Sequence, residues 1–186
     1  CDGPDGGAGL HIFNGADCVI SNCKFNNCAS VNDESGVIRI NETINTNSFL
    51  IFDLCDFIND QGNGNSGERA IFIAYESLVK FNSCRFLGYD KGNIDGVILY
   101  SESKSSTVFF NCSFSNIIGK SVMKMENAES ADIFDCQFTS CDVESSLIDA
   151  EKAVNFTVSN NLFSNNKEMI RFGDLVKIGL INNNTF

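Results

Sequence analysis

The chain has 186 residues, of which 43% are hydrophobic, and this suits one folded domain and excludes a disordered tail. Its 24 acidic and 13 basic residues leave a formal net charge of −11, which repels phosphate backbones and argues against nucleic acid as a partner. No run of 18 apolar residues occurs, so we expect any membrane attachment to come from parts outside this segment.

Two short apolar phrases alternate along the chain. The first phrase has the length and composition of a β-strand and occurs at 10–13, 37–40, 70–73, 97–100, 122–125, 147–150 and 169–172. The second phrase is an apolar residue, then Cys or Asn three residues later and Phe five residues later. It occurs at 20–25, 52–57, 81–86, 109–114, 133–138, 158–163 and 181–186.

Short strands that repeat every ~25 residues, with irregular loops between them, predict a β-solenoid. We therefore predict an all-β fold, a single-stranded right-handed parallel β-helix of about seven coils with a pectin lyase-like architecture. Residues 1–186 are expected to form one β-helix domain that is a fragment of a longer chain. Its two ends would expose unpaired strands, which favours end-to-end association.

Stacking of equivalent residues in successive coils explains why the second phrase repeats. The phenylalanines are expected to form an inward aromatic column of Phe25, Phe57, Phe86, Phe114, Phe138, Phe163 and Phe186. The Cys/Asn position is expected to form a ladder at a tight turn, made of Cys23, Cys55, Cys84, Cys112, Cys136, Asn161 and Asn184.

The nine cysteines allow two interpretations. Stacked side chains that point the same way do not converge as a disulfide requires, which favours a ladder of free buried thiols. Exported proteins usually contain disulfides, so a local bond within 23–28 or 136–141, or one involving Cys18, stays open. We expect no metal site and no cofactor, because His11 is the only histidine and no Cys-x2-Cys pair occurs.

Two motifs resemble the repeat of polymorphic outer membrane proteins. That family consists of surface β-helices in chlamydiae, and related repeats occur in large surface proteins of some protists. Its markers are Gly-Gly-Ala followed by Ile, Leu or Val, and Phe-x-x-Asn. Here Gly6-Gly7-Ala8 precedes Leu10 with Gly9 between them, and Phe163-Ser-Asn-Asn166 matches the second marker. The resemblance implies a secreted or surface-exposed adhesin in an extracellular setting.

Candidate catalytic groups are weak in this sequence. An acid follows the first phrase in six units, at Glu42, Glu76, Glu102, Glu126, Glu151 and Asp174. We interpret these acids as a solvated edge, with a weak calcium strip or catalysis as alternatives. His11 is expected to stack with Ile38, Ile71, Ile98, Met123, Ile148 and Ile170, without a nucleophile beside it. Basic residues look scattered singly, whereas β-helical polysaccharide lyases and hydrolases combine clustered Asp with Arg or Lys. We therefore predict no catalytic residues.

A partner surface follows from strand alternation. One outward column is expected to contain Arg39, Phe72, Leu99, Lys124, Asp149 and Arg171. Phe72, Leu99 and Val97 would form a small exposed apolar patch beside Arg39, unless a loop covers it. Four Asn-x-Ser/Thr sequons are possible glycosylation sites, at Asn41, Asn111, Asn155 and Asn183.

These observations predict a non-enzymatic cell-surface module that binds a host-cell surface, a glycan or a protein. The alternatives are a carbohydrate-active enzyme on the same scaffold and a structural spacer. Clustered carboxylates with a basic neighbour would favour the enzyme, and a smooth rod would favour binding or spacing.

Overall fold

The structure is a computed structural model that describes residues 2–3, 9–13, 17–30, 36–41, 48–59, 69–73, 77–90, 94–101, 104–173 and 178–186. Within these residues all regular structure is β-strand. The strands are β1 (Asp2–Gly3), β2 (Leu10–Phe13), β3 (Cys18–Ser21), β4 (Lys24–Asn26), β5 (Ala29–Ser30), β6 (Gly36–Asn41), β7 (Ser48–Asp53), β8 (Asp56–Ile58), β9 (Arg69–Ile73), β10 (Ser77–Asn82), β11 (Arg85–Leu87), β12 (Leu99–Ser101), β13 (Ser106–Phe110), β14 (Ser113–Ser115), β15 (Ile118–Met125), β16 (Ser130–Phe134), β17 (Gln137–Thr139), β18 (Asp142–Ala150), β19 (Asn155–Ser159), β20 (Leu162–Ser164), β21 (Ile170–Phe172) and β22 (Ile178–Asn182). The described residues include no helix long and apolar enough to cross a membrane.

Three parallel sheets enclose the core, and each coil contributes one strand to each sheet in turn. Sheet A contains β2, β6, β9, β12, β15, β18 and β21. Sheet B contains β3, β7, β10, β13, β16, β19 and β22, and sheet C contains β4, β8, β11, β14, β17 and β20. A small pair, β1 and β5, lies outside them. This architecture confirms the predicted parallel β-helix.

The coil count differs slightly from the prediction of about seven, because the solenoid has about five turns. Among the described residues, sheets A and B each contain seven strands and sheet C contains six. In the described part of the chain the last unit contributes β22 to sheet B but no strand to sheet C, where only an isolated bridge joins Leu162 to Thr185.

The repeated phenylalanines stack through the interior against sheet C. Phe57 pairs in register with Phe25 and Phe86, and the ring centroids are 4.9 Å and 4.8 Å apart. The stack continues through Phe114, Phe138, Phe163 and Phe186 at 5.0, 4.6, 4.9 and 5.1 Å. Such offset stacks add attraction beyond the burial of the rings themselves. One aromatic column therefore joins all seven repeat units.

The corner between sheets B and C has two residues in every coil. The first of them adopts a left-handed conformation, with φ between 50° and 57°, at Asn22, Leu54, Ser83, Asn111, Asp135, Asn160 and Asn183. Asn and Asp tolerate this conformation well because their short polar side chains bond locally, whereas Leu does not. The second residue of each corner is the Cys or Asn of the predicted ladder.

An asparagine in the ladder satisfies two backbone groups of the preceding coil at once. Asn161 donates from Nδ2 to the Ile133 carbonyl at 2.9 Å and accepts the Cys136 N–H on Oδ1 at 2.7 Å. Its neighbour Asn184 accepts the Asn161 N–H at 2.9 Å. The amides therefore bond mainly to backbone, and also to each other through a 3.0 Å contact between the two side chains.

Cysteine performs the same two tasks with a thiol. Cys112 donates from Sγ to the Phe81 carbonyl at 3.3 Å, and its own N–H donates to Cys136 Sγ at 3.4 Å. Burial raises the pKa of Cys55 to about 11 and also raises that of Cys112, so these thiols stay protonated near neutral pH. All eight described cysteines are free: Cys18, Cys23, Cys28, Cys55, Cys84, Cys112, Cys136 and Cys141.

Two predicted register positions in sheet A are wrong by one residue. His11 pairs with Arg39 in the outward column, because Leu10 is the residue that pairs with Ile38. In the fourth unit Leu99, not Ile98, pairs with Ile71 in the inward column. Strand pairing thus aligns the first residue of the 10–13 phrase, and the third residue of the 97–100 phrase, with the second residue of the other phrases.

Candidate functional site

The outward face of sheet A carries one column of mostly charged or aromatic side chains. Strand pairing places His11, Arg39, Phe72, Tyr100, Lys124, Asp149 and Arg171 in this column, which we call the charged column. Alternation along the strands explains the arrangement, because the neighbours on either side of each position face the core. The predicted outward places of Arg39, Lys124, Asp149 and Arg171 therefore agree with the strand register.

The predicted apolar patch on this face is wrong. Val97 and Leu99 are both fully buried. Leu99 faces inward because the register shift gives its outward place to Tyr100. Val97 fills the space where a Cβ of Gly119 would otherwise lie. The side chain of Phe72 lies outside the described residues. Of the four residues predicted for this surface, Arg39 is therefore the one whose described side chain lies in the outward column.

Lys124 is the centre of an ion network. Its Nζ lies 3.4 Å from Asp95 Oδ2, 3.3 Å from Glu126 Oε1 and 3.9 Å from Glu151 Oε2. Asp95 also binds Lys120 at 3.0 Å. The Lys124 side chain is only 14% exposed, and burial alone would favour the neutral amine. The carboxylates of Asp95 and Glu126 outweigh burial and raise the pKa of Lys124, so the ammonium is held in place.

Asp149 is buried although its position in the strand faces outward. The whole residue is 3% exposed, and its Oδ1 has no hydrogen-bond partner among the described residues. Arg171 Nη1 approaches Oδ2 at 3.8 Å. Burial raises the pKa of Asp149, the charges of Arg171 and Lys124 oppose this, and Glu151 adds to it. A desolvated carboxyl between two cations is a typical feature of functional sites.

Tyr100 provides an aromatic surface next to the ion network. The guanidinium of Arg69 lies over its ring, 4.2 Å from the centroid. Arg69 Nε also donates to the Asp95 carbonyl at 3.0 Å, which links the ring to the segment that binds Lys124. The cation–π contact and this hydrogen bond hold Arg69 and Tyr100 in one arrangement.

The predicted acidic edge is described at two of its six positions. Glu126 and Glu151 occupy neighbouring coils, since the Glu151 N–H donates to the Met125 carbonyl, and both bind Lys124 rather than only water. Glu42, Glu76, Glu102 and Asp174 lie outside the described residues. In the described ranges no three His, Cys, Asp or Glu side chains form a group suited to a metal ion.

The expectation that basic residues are scattered singly is wrong. Lys120, Lys124 and Arg171 lie next to Asp95, Asp149, Glu126 and Glu151 in one charged surface. Three of these residues could have been found from the sequence. The third position of the first phrase is charged in three successive units, at Lys124, Asp149 and Arg171. Asp95 lies outside the strands, in the described segment 94–98, and repeat spacing gives no information on where such a segment lies.

The sequons differ in their surroundings. Asn111 and Asn183 are exposed corner residues, and Asn111 donates from Nδ2 to Ser83 Oγ at 3.0 Å. Asn155 lies in β19 and donates to the Glu129 carbonyl at 3.5 Å. The Asn41 side chain lies outside the described residues. Glycosylation of these sites stays a prediction.

The charged column can bind polar groups in two ways. The carboxylates of Asp95, Glu126 and Glu151 beside it can accept hydrogen bonds from hydroxyl or amide donors, and its own cations can pair with anionic groups. The Tyr100 ring, with the Arg69 guanidinium over one of its faces, adds an aromatic group to this surface. Comparisons of the chain with protein-family models, with curated proteins and with solved structures found no match, so the resemblance to the polymorphic outer membrane protein repeat stays a hypothesis.

Proposed function

We propose that this solenoid is a non-enzymatic binding module of an extracellular surface protein, and that it retains a glycan or protein partner on the charged column. The observation that supports the proposal most directly is the ion network around Lys124 with Tyr100 and Arg69 beside it. This surface presents donors, acceptors and a ring on rigid strands, and preorganised polar groups of this kind favour recognition.

The partner is proposed to carry hydroxyl or amide donors together with negative charge. Arg171 is 58% exposed, and its one described carboxylate, Asp149, is buried beneath the surface. The guanidinium therefore has donors left for a ligand. A glycan with anionic substituents, or an acidic segment of a protein, fits these groups, and a host-cell surface displays both kinds.

Retention of soluble glycans and cell-surface extracts on immobilised protein tests this proposal. Arg171→Ala is expected to weaken retention by about tenfold or more, because a charge-assisted contact contributes ~1.5–3 kcal/mol. Arg85→Ala is the matched control, since Arg85 is 50% exposed and also pairs with one carboxylate, but on sheet C. Equal retention by wild type and both variants would refute a role for the charged column.

A second candidate, a carbohydrate-active enzyme, is favoured by two observations. The carboxylates of Asp95, Glu126 and Glu151 cluster around the basic side chain of Lys124, which is the pattern expected of an enzyme on this scaffold. Asp149 is a buried carboxyl with a raised pKa and an unpartnered oxygen, next to Lys124 and Arg171. A carboxyl whose pKa is raised by burial is the kind of group that can act as a general acid. Incubation with a polysaccharide panel, with new chain ends counted for wild type and Asp149→Asn, separates the two proposals. Turnover that Asp149→Asn abolishes would favour the enzyme. Absence of both turnover and retention would favour a spacer.

A further inference from the structure

The outward face of sheet B differs from the other two faces because apolar side chains cluster on it among polar ones. Alternation exposes one set of its residues, and the apolar members are Val19, Phe49, Ile51, Leu78, Val108, Phe110, Phe134 and Leu180. We call this set the apolar face. Val19 is 67% and Phe110 is 46% exposed. Contiguous exposed apolar residues on a sheet usually mark a contact surface.

Two charges stand in the middle column of this face. Lys80, Val108 and Asp132 are aligned on three successive strands by the pairing of β10 with β13 and of β13 with β16. The Lys80 ammonium lies over the Phe49 ring, 5.2 Å from its centroid. Among the described residues no carboxylate pairs with Lys80, and no cation pairs with Asp132. One positive and one negative group thus lie equally far on either side of Val108.

This order of charges is self-complementary. A two-fold axis that runs parallel to the strands through Val108 reverses the order of coils and leaves the position along each strand unchanged. It therefore places Lys80 of each copy opposite Asp132 of the other copy, so that two such pairs form. It also places Phe110 of one copy opposite Phe110 of the other. Isologous dimers require a surface that matches itself in this way.

We propose that a second copy of this chain docks face to face on the apolar face, with two Lys80–Asp132 ion pairs across the interface. The strands of the two sheets run nearly parallel in this arrangement, which is the aligned mode of sheet packing. Val108 lies at its centre, where water is excluded best, and Phe110 lies on the same strand at the edge of the face.

Other two-fold arrangements of the same face are opposed by charge. An axis along the stacking direction sets Lys80 against Lys80 and Asp132 against Asp132. An axis through Lys80 rather than Val108 again brings the two ammonium groups together. Like charges across an interface are costly, so these two arrangements are disfavoured relative to the one with two Lys80–Asp132 pairs.

The size of the face sets the expected strength. Five strands ~4.8 Å apart and five residues of ~3.3 Å each give a face of roughly 20 Å by 16 Å. This is about 320 Å² for each copy, below the area of a standard specific interface, so we expect a weak reversible dimer with a dissociation constant above the micromolar range. Phe49 and Ile51 meet Asn155 and Thr157 of the second copy, which limits the apolar contact further.

Charge reversal tests the arrangement without removing apolar groups. Sedimentation equilibrium should show a monomer–dimer equilibrium for the whole chain. Lys80→Asp alone and Asp132→Lys alone should each weaken dimerisation at least tenfold, because each makes both cross-interface pairs like-charged. The double variant should restore it. An equimolar mixture of the two single variants should also dimerise, since both pairs are then complementary.

Control variants separate this dimer from other association. Arg85→Asp on sheet C should leave the equilibrium unchanged, Phe110→Ser should weaken it, and circular dichroism should show that every variant is folded. A chain that stays monomeric at millimolar concentration overturns the proposal. An open series of larger species that the charge variants do not change also overturns it, because this is the behaviour of end-to-end association.

Discussion

The ladder at the corner between sheets B and C predicts a specific order of stability for substitutions of Asn161. This side chain is 2% exposed and satisfies the Ile133 carbonyl and the Cys136 N–H. Asn161→Ala leaves both backbone groups buried without a partner. Each such group costs ~1–3 kcal/mol, so we expect a loss of about 3 kcal/mol in the free energy of unfolding.

Cysteine in the same place should be tolerated better than alanine. Cys136, one coil earlier, donates from Sγ to the Phe109 carbonyl at 3.7 Å and accepts the Cys112 N–H at 3.4 Å. Asn161→Cys therefore keeps both contacts in a weaker form, and a loss of about 1 kcal/mol is expected. Asn161→Asp should be worse than alanine, because a carboxylate cannot donate to a carbonyl and its charge is buried.

Urea unfolding followed by circular dichroism measures this order, since the chain contains no tryptophan. Asn166→Ala is the matched control. Asn166 makes the same two contacts, to the Phe138 carbonyl at 2.9 Å and from the Cys141 N–H at 3.0 Å, but it is only partly buried. Water can replace its side chain, so a loss of about 1 kcal/mol is expected. The reasoning is refuted if Asn161→Ala changes stability by less than about 0.5 kcal/mol, or if Cys is as harmful as Ala.

Three further predictions concern the core and the buried ionisable groups. Phe86→Ala should cost ~3–5 kcal/mol in urea unfolding, because its ring is fully buried between two others, and Phe186→Ala should cost far less, since Phe186 is 64% exposed. Burial raises the pKa of Cys55 and of Cys141 to about 11, so stability should fall as pH rises from 9 to 11 and unfolded thiols ionise first. Asp149→Asn should stabilise the protein at pH 7 and have less effect near pH 4, because the raised pKa of Asp149 makes its ionised form unfavourable in the folded state.

Each of these predictions has a result that would contradict it. Equal losses in the free energy of unfolding for Phe86→Ala and Phe186→Ala would mean that burial of a ring within the stack does not determine its contribution to stability. A flat stability between pH 9 and 11 would show that the buried thiols ionise as easily as unfolded ones. A destabilised Asp149→Asn variant at pH 7 would indicate that the pairing of Asp149 with Arg171 outweighs the cost of burying its charge.

The repeat spacing was enough to predict the phenylalanine stack and the Cys/Asn ladder, though not the inward register of every strand in sheet A. A residue that recurs once per coil has only one neighbour above and one below, so the place of Phe86 between Phe57 and Phe114 follows from counting. The same argument places Cys112 next to Cys136 in the ladder. These interactions are local to adjacent coils and do not depend on loop conformation.

Spacing was insufficient for the outward column and for the loops. Val97 and Ile98 are consecutive and both buried, because the chain bends there and strict alternation does not hold. The phrase therefore indicated Leu99 as the exposed residue, whereas Tyr100 occupies that place. Asp95 reaches Lys124 from a loop, and this contact depends on the path of the loop rather than on any period in the sequence.

The two-residue corner between sheets B and C restricts how this chain can vary during evolution. Insertion of a single residue there would displace the ladder residue and break its bonds to two coils at once. The connection from sheet C to sheet A, in contrast, spans two residues between β14 and β15 but ten between β8 and β9. Changes in length are thus tolerated along one edge of the solenoid and opposed along another. New loops, and new specificities with them, are expected to arise beside sheet A while the ladder edge keeps its length.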